Sequence, residues 1–137
     1  MRLFLDSSAL AKRYVEESGT VAVADHCAQA TEILLCIVTI PEMISAFNRL
    51  RREKKLTAKH YRQMKADFAR DIEQATILDL SELVLQYTIQ CLERAPLKAL
   101  DALQLGCALS AHCDLFLSAD QRQLQAARRL RLPVESV

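Results

Sequence analysis

Four acidic residues lie beside or within apolar stretches of the sequence, where their carboxylates could bind metal ions. Asp6 follows the run Leu3–Leu5, and Glu42 follows "CIVTIP". Asp101 lies within "ALDALQLGCAL", and Asp120 follows "LFLSA". Carboxylate oxygens are hard ligands that suit Mg²⁺ or Mn²⁺. An acidic cluster holding such an ion can activate a bound water and neutralise charge on a phosphodiester, which is the chemistry of a metal-dependent nuclease.

Three of these acids also have a purely structural interpretation at the start of a helix. Asp6 is suited to be an N-cap, because its carboxylate can accept a backbone N–H that has no other partner. Thr39 and Glu42 match a T-x-x-E capping box, and Ser118 and Gln121 offer an S-x-x-Q version of it. Taken singly, these acids need no function beyond capping.

Asp101 is the acid that capping explains least well. It follows Pro96 by five residues and is surrounded by apolar positions. A buried carboxylate needs a cation, hydrogen bonds or a raised pKa, because losing its water is costly. Lys98, three residues earlier, is one available partner and supplies a structural alternative.

Short apolar runs alternate with longer amphipathic stretches, which predicts an α/β fold. We expect strands at about 2–5, 33–38, 76–79, 115–118 and 133–136. We expect helices at about 8–16, 20–30, 41–55, 57–74, 82–94, 98–112 and 120–131. Strands separated by helices favour a mostly parallel sheet covered on both faces, in a three-layer α/β/α domain. No linker or repeat divides the chain, so residues 1–137 should form one domain.

The predicted fold brings the acids together. The carboxyl ends of parallel strands lie along one edge of the sheet, where the following helices begin. Asp6, Glu42 and Asp120 would share that edge, and Asp101 could reach it from the helix before the fourth strand. Carboxylates at such close range repel one another unless a cation lies among them. The sequence therefore predicts a site for Mg²⁺ or Mn²⁺ at this edge.

The composition excludes several other classes of protein. Two glycines in 137 residues leave no Gly-rich phosphate loop, which argues against P-loop and Rossmann nucleotide binders. A net charge of +1 means that any nucleic-acid contact must come from a local patch. The five cysteines match no zinc template and are expected to be reduced, which suggests a cytoplasmic location. No signal peptide or membrane-spanning run is recognisable.

Four blocks of the sequence together resemble the PIN-domain ribonucleases, in particular the VapC-type toxins of prokaryotic toxin–antitoxin pairs. The blocks are "LDSSAL" at 5–10, "TIPEMISAFNRL" at 39–50, "LKALDALQLGCAL" at 97–109 and "LFLSADQRQLQAARRLRLPV" at 115–134. Each block alone is weakly specific. Their order and the separations of 36, 59 and 19 residues between successive acids make the match a strong one.

The resemblance implies an endoribonuclease that uses Mg²⁺ or Mn²⁺ to hydrolyse phosphodiester bonds in RNA. It also implies a homodimer and an antitoxin partner whose C-terminal segment covers the active site. The family's catalytic, metal-binding carboxylates correspond to Asp6, Glu42, Asp101 and Asp120. Its hydroxyl positions, which would orient those carboxylates, correspond to Ser8 and Ser118. Asp114 is a nearby rival for the last acid, but at the start of its strand it would point to the opposite edge.

Basic residues near these acids are candidates for RNA contacts. The segment "NRLRREKKL" could bind phosphates, although it could equally be the solvated C-terminal end of a helix. Two further basic residues follow Asp6 by one to two helical turns. The candidates are Lys12, Arg13, Arg49, Arg51 and Arg52. The three histidines (His26, His60 and His112) are scattered on predicted helices and are interpreted as surface residues. A metal-activated water requires no histidine base.

Two other functions remain as alternatives at this stage. The chain could be a non-catalytic PIN-fold module that binds RNA or a protein partner. It could also be a phosphotransferase with Asp6 as nucleophile, resembling haloacid-dehalogenase-like phosphatases. Those enzymes carry a second aspartate two residues after the first, and that position is Ser8 here.

Overall fold

The structure is a computed structural model that describes residues 1–137. Its centre is a five-stranded sheet in which all neighbouring strands are parallel, in the order β3-β2-β1-β4-β5. The strands are β1 (Arg2–Leu5), β2 (Glu32–Cys36), β3 (Thr76–Leu78), β4 (Leu115–Ser118) and β5 (Val134–Ser136). Helices cover both faces, so the predicted three-layer α/β/α fold is confirmed.

Seven helices connect or follow the strands. They are α1 (Ser7–Ala11), α2 (Thr20–Gln29), α3 (Thr39–Arg52), α4 (Ala58–Gln74), α5 (Glu82–Arg94), α6 (Ala99–Ser110) and α7 (Gln121–Arg129). Every predicted helix and strand is present. The largest error is in α1, which ends at Ala11 and not near residue 16. Beyond Ala11 the chain continues as tight turns with hydrogen bonds from residue i to residue i−3, such as Tyr14 N to Ala11 O.

The two faces of the sheet carry separate hydrophobic clusters. Successive side chains of a strand point to opposite faces, and Leu3 and Leu5 of β1 accordingly lie in one cluster while Phe4 lies in the other. Helices α1, α3 and α4 pack on the Leu3 face, and helices α5, α6 and α7 pack on the Phe4 face. No helix is both long enough and apolar enough to span a membrane.

The central position of β1 decides where the candidate acids lie. Asp6 directly follows β1, and its backbone N–H donates to the carbonyl of Leu117 in the neighbouring strand β4 at 3.1 Å. Asp114 lies at the other end of that strand pair, where its carboxylate accepts from the backbone N–H of Arg2 at 2.7 Å. The geometry therefore separates Asp114 from Asp6 by the length of a strand.

Candidate active site

Asp6 is an N-cap and a buried charge at the same time. Its Oδ1 accepts from the backbone N–H of Ala9 at 2.9 Å, so the predicted capping role is correct. The residue is only 4% exposed, and the hydroxyl of Ser8 also donates to its carboxylate, at 2.8 Å. Burial raises the pKa of Asp6 to about 6, although the hydrogen bonds from Ala9 and Ser8 act in the opposite direction. The carboxylate is therefore strongly desolvated, with neutral donors as its partners.

Two serine hydroxyls connect the ends of β1 and β4. Ser8 Oγ accepts from the backbone N–H of Ala119 at 2.9 Å and lies 3.4 Å from Ser118 Oγ. Ser118 Oγ accepts from the N–H of Asp120 at 3.0 Å and donates to Gln123 Oε1 at 2.7 Å. The hydroxyl of Ser8 thus contacts a candidate ligand directly, whereas that of Ser118 holds the backbone of another.

Glu42 lies in the first turn of α3 and is held by side chains from two other helices. Its Oε1 accepts from Ser7 Oγ at 2.9 Å and from Gln104 Nε2 at 2.8 Å. The predicted capping box is wrong, because the N-cap is Val38 and makes no side-chain capping bond. Thr39 is instead the first helical residue, and its hydroxyl accepts from Gln104 Nε2 at 2.9 Å.

Asp120 caps α7 with its own side chain. Its Oδ1 accepts from the N–H groups of Arg122 and Gln123 at 2.8 and 3.2 Å. The S-x-x-Q capping box predicted for this turn is also wrong, since Asp120 is the N-cap and Gln121 donates to Ser136. As with Asp6, capping is real and accounts for only one of the two carboxylate oxygens.

Asp101 lies in the first turn of α6 and is half-buried. Burial raises the pKa of its carboxyl, and the negative charges of Asp120 and Glu42 raise it further. Lys98 opposes these effects but forms no ion pair with Asp101. The side chain of Asp101 makes no hydrogen bond, and only its backbone carbonyl accepts, from Gln123 Nε2 at 3.2 Å. Asp101 therefore carries the least compensated charge of the four acids.

Three of the four acids line two open clefts at the carboxyl edge of the sheet, whereas Asp6 is buried and lines neither. Glu42 lines a cleft of 560 Å³ together with Ser7 and Ser8. Asp101 and Asp120 line a second cleft of 550 Å³. Since Asp101 lies within electrostatic reach of both Asp120 and Glu42, the two clefts belong to one acidic region.

The donor chemistry of this region fits a hard divalent cation. Carboxylate and hydroxyl oxygens are the only candidate ligands, and no carboxylate of the four is in an ion pair. No three His, Cys, Asp or Glu side chains converge closely enough to hold a metal ion among them. Mg²⁺ usually keeps several waters and binds through one or two carboxylates plus substrate phosphates, so an open arrangement suits it.

Two buried glutamines hydrogen-bond to groups of the candidate site, and the sequence analysis did not identify them. Gln104 is 1% exposed and contacts Glu42, while Gln123 is fully buried and contacts both Ser118 and the backbone of Asp101. Each glutamine follows a candidate acid by three residues, since Gln104 follows Asp101 and Gln123 follows Asp120. A polar amide one turn after an acid, within an otherwise apolar helix face, is a signal that could have identified them.

Of the predicted basic residues, the structure brings Arg49 to the acids. Arg49 lies on α3 and lines the same cleft as Glu42. The guanidinium of Arg51 instead lies over the ring of Tyr61, 5.1 Å from its centroid. Arg52 is exposed at the end of the helix.

The other two predicted basic residues have partners elsewhere in the chain. Lys12 is buried, and its ammonium donates to the carbonyl of Ser18 and lies 3.5 Å from Glu17. Arg13 forms an ion pair with Asp71 of α4 at 3.1 Å. Neither side chain lines the two acidic clefts, and an RNA contact from either remains only a prediction.

The histidines lie away from the acids. His60 and His112 are exposed, as predicted for surface residues. His26 is half-buried, and its Nε2 lies 3.1 Å from a carboxylate oxygen of Glu135. None of the three lines either acidic cleft.

The fold has close counterparts among solved structures. VapBC2 from Rickettsia felis, bound to a DNA fragment from its promoter, matches with a TM-score of 0.74 and 12% identity, over 100% of this chain and 99% of that one. FitAcB from Neisseria gonorrhoeae matches with a TM-score of 0.75 and 16% identity, over 96% of this chain and 95% of that one. VapC20 from Mycobacterium tuberculosis, a toxin that cleaves the sarcin-ricin loop, matches with a TM-score of 0.69 and 12% identity, over 90% of this chain and 94% of that one. At these identities the likeness shows a shared fold.

The sequence itself gives the family. It matches no curated protein. The model of the PIN domain, however, matches residues 3–129, which include all four candidate acids, β2, β3 and β4 in full, and β1 except for Arg2. Together with the parallel sheet, this match shows that the chain belongs to the PIN-domain family.

Proposed function

We propose that this protein is a divalent-metal-dependent endoribonuclease that hydrolyses RNA phosphodiester bonds, and that it is the toxin of a type II toxin–antitoxin pair. The observation that supports the proposal is that Glu42, Asp101 and Asp120 line two open clefts, with Asp101 in electrostatic reach of the other two. Asp6 is buried directly after β1, and none of the four acids is in an ion pair. Membership of the PIN-domain family supports a nuclease.

In this proposal the four carboxylates hold Mg²⁺ or Mn²⁺. The bound ion supplies a water of lowered pKa and neutralises charge on the phosphate. The protein's own part is to fix the ligands in advance. Ser8 orients Asp6, and Ser7 and Gln104 orient Glu42 through the hydrogen bonds described above. Such partners of metal ligands typically change metal affinity or activity by about 10–100-fold when removed.

The RNA backbone would lie along the two clefts. Arg49 lines the cleft of Glu42, and Lys98 and Arg122 line the cleft of Asp101 and Asp120. Contacts from arginine and lysine to phosphates supply affinity that depends on salt and not on sequence. Arg51 and Arg52 would contribute to the surrounding positive potential.

A protein partner would cover the apolar surface of α5. Leu85, Ile89 and Leu92 are exposed and spaced by four and three residues, so they form one stripe along the helix. An exposed apolar stripe of this kind marks a protein interface. We assign to the protein a homodimer and a cognate antitoxin, and one structural neighbour, from Klebsiella pneumoniae, is a toxin–antitoxin complex. The five free thiols are consistent with a reducing, cytoplasmic location.

The test compares two acids at opposite ends of the same strand pair. Asp6→Asn should reduce cleavage of total RNA in Mn²⁺ or Mg²⁺ by about 10³-fold, because it removes a central ligand of the ion. Calorimetry should show weaker Mn²⁺ binding by the same variant. Asp114→Asn is the matched control and should cleave normally, since it can still accept from Arg2 at the far edge. Chelation with EDTA should stop cleavage by the wild-type protein.

Undiminished cleavage by the folded Asp6→Asn variant would refute the assignment of the site. A wild-type protein that binds Mn²⁺ but cleaves no RNA would favour the alternative of a non-catalytic PIN-fold module. Circular dichroism and thermal melting would establish that both variants retain the fold.

A further inference from the structure

A pair of buried thiols lies beneath the acidic edge and has no part in the proposed chemistry. Cys36 is the last residue of β2, and Cys107 lies in the middle of α6. Both are fully buried, and the Cys107 thiol donates a hydrogen bond to Cys36 Sγ at 3.1 Å. All five cysteines are free, and this is the one cysteine pair joined by a hydrogen bond.

The two sulfur atoms are close to bonding distance. A disulfide has an S–S length of about 2.05 Å, so the pair needs to close by about 1 Å. The residues are 71 apart in sequence, and packing of α6 on the sheet, not local chain geometry, sets their approach. The other three cysteines lie on different elements, with Cys27 on α2, Cys91 on α5 and Cys113 after α6.

We propose that Cys36 and Cys107 are a redox modification site that closes to a reversible disulfide on exposure to a peroxide. The Cys36 sulfur attacks the O–O bond of hydrogen peroxide, which gives a sulfenic acid and one water. The Cys107 sulfur then attacks the Cys36 sulfur, the S–O bond breaks, and the hydroxyl leaves with the Cys107 proton as a second water. The two thiols lose two electrons, and the peroxide gains them.

The hydrogen bond within the pair supports this order of attack. The bond donated by Cys107 lowers the pKa of Cys36 and raises the pKa of Cys107. The thiolate is the nucleophile in such reactions, so Cys36 attacks first. Because both sulfurs are buried, a small oxidant reaches them through local opening of the structure, and the reaction is slow.

The disulfide would fasten together two segments that carry the candidate site. Glu42 follows Cys36 by six residues, and Gln104 precedes Cys107 by three. The cross-link would close a loop of 71 residues, and long closed loops restrict the unfolded chain strongly. Oxidation should therefore make the fold more resistant to heat, whether or not the protein cleaves RNA.

The experiment uses the reduced full-length protein and hydrogen peroxide. The protein is incubated with peroxide, then unfolded in urea with a maleimide, and the labelled thiols are counted by mass spectrometry. The count should fall from five to three. Tryptic peptides 14–49 and 99–122 should be linked and should separate on reduction. The oxidised protein should melt about 5–10 °C higher, and dithiothreitol should reverse the shift.

Variants assign the link to its two sulfurs. The linked peptides also contain Cys27 and Cys113, so a Cys27→Ser, Cys113→Ala protein should still form the link. Cys107→Ala and Cys36→Ala should each abolish it, and Cys91→Ala, which removes a buried thiol from α5, should retain it. Five labelled thiols after prolonged incubation of the wild-type protein just below its melting temperature would overturn the proposal. A link through Cys27 or Cys113 would also overturn it.

Discussion

Glu42 and Asp101 occupy similar positions in the chain and have opposite surroundings. Each lies in the first turn of a helix that begins at the carboxyl edge of the sheet. The carboxylate of Glu42 accepts two hydrogen bonds, from Ser7 and Gln104. The side chain of Asp101 accepts none, and its pKa is raised by burial and by the neighbouring acids. One half of the candidate site is held by neutral donors, and the other half retains uncompensated charge.

This difference indicates how the work is divided within the site. In the proposed function, Glu42 would be oriented before any ion binds, because Ser7 and Gln104 already hold its carboxylate. In the proposed function, the Asp101 half, which includes Asp120, would supply the negative potential that attracts a cation. The two buried glutamines follow the same division, since Gln104 holds a carboxylate directly, whereas Gln123 holds a hydroxyl and a backbone carbonyl.

The largest expected effect is on the stability of the metal-free protein as the pH changes, because Asp6 is the most deeply buried of the four acids. Its pKa is raised to about 6 in the folded state, from an ordinary value of 3.8. At a pH between these two pKa values, the Asp6 carboxyl is deprotonated in the unfolded chain and still protonated in the folded protein. The free energy of unfolding contributed by Asp6 should therefore fall by about 3 kcal/mol as the pH rises through this interval.

The measurement is urea unfolding in EDTA at pH values on either side of that interval, for the wild-type protein and Asp6→Asn. The variant should become the more stable of the two as the pH rises, and saturating Mn²⁺ should restore stability to the wild type alone. A stability difference between the two proteins that does not change with pH would mean that desolvation of Asp6 is not the dominant cost at this edge.

The next effect separates the two glutamines. Gln104→Met preserves volume but removes the donor to Glu42, and it should weaken Mn²⁺ binding about 10–100-fold. Gln123→Met removes contacts to Ser118 and to a backbone carbonyl, so it should reduce stability with a smaller change in metal affinity. Calorimetric titration with Mn²⁺ and thermal melting of both variants test whether the two glutamines have different roles. Equal losses of Mn²⁺ affinity would show that they do not.

The smallest expected effect is on the stability of two variants, at Glu42 and at Asp101, which should change in opposite directions without metal. Glu42→Ala should destabilise the protein by about 1 kcal/mol, because Ser7 and Gln104 lose an acceptor. Asp101→Asn should stabilise it by a similar amount or less, because it removes a charge that burial and repulsion disfavour. Chemical unfolding in EDTA gives both values. Destabilisation by both variants would show that Asp101 has a compensating partner in solution.

The acids and the sheet could be predicted from the sequence because both depend on local patterns. Apolar runs marked the strands, and each acid lay next to one or within an apolar helix. The capping box at Thr39 and Glu42 was wrong for the same reason, since a four-residue pattern contains no information about Gln104, which is 62 residues away from Glu42.

Lys12 illustrates a second limit of the sequence. Helical spacing placed it near Asp6, yet its ammonium binds the carbonyl of Ser18. That contact depends on the early end of α1 and on the turn before α2, where Gly19 adopts a φ of +93°. A side chain at that position would approach the backbone of Val137 to 2.6 Å, so glycine is required there for space as well as conformation. Contacts that depend on such a turn cannot be predicted from helical spacing in the sequence.

The position of β4 in the sheet has a consequence for synthesis of the protein. β1 is made before its partner β4, which begins more than 100 residues later. β4 provides the Leu117 carbonyl that accepts a hydrogen bond from the backbone N–H of Asp6. Ala119 and Asp120 arrive with it. A ribosome-bound chain from which β4 has not yet emerged therefore lacks Asp120 and the partner strand of β1. In the proposed function, such a chain could not cleave the RNA of the ribosome that is synthesising it. In the proposed function, nuclease competence would begin only after β4 has been synthesised.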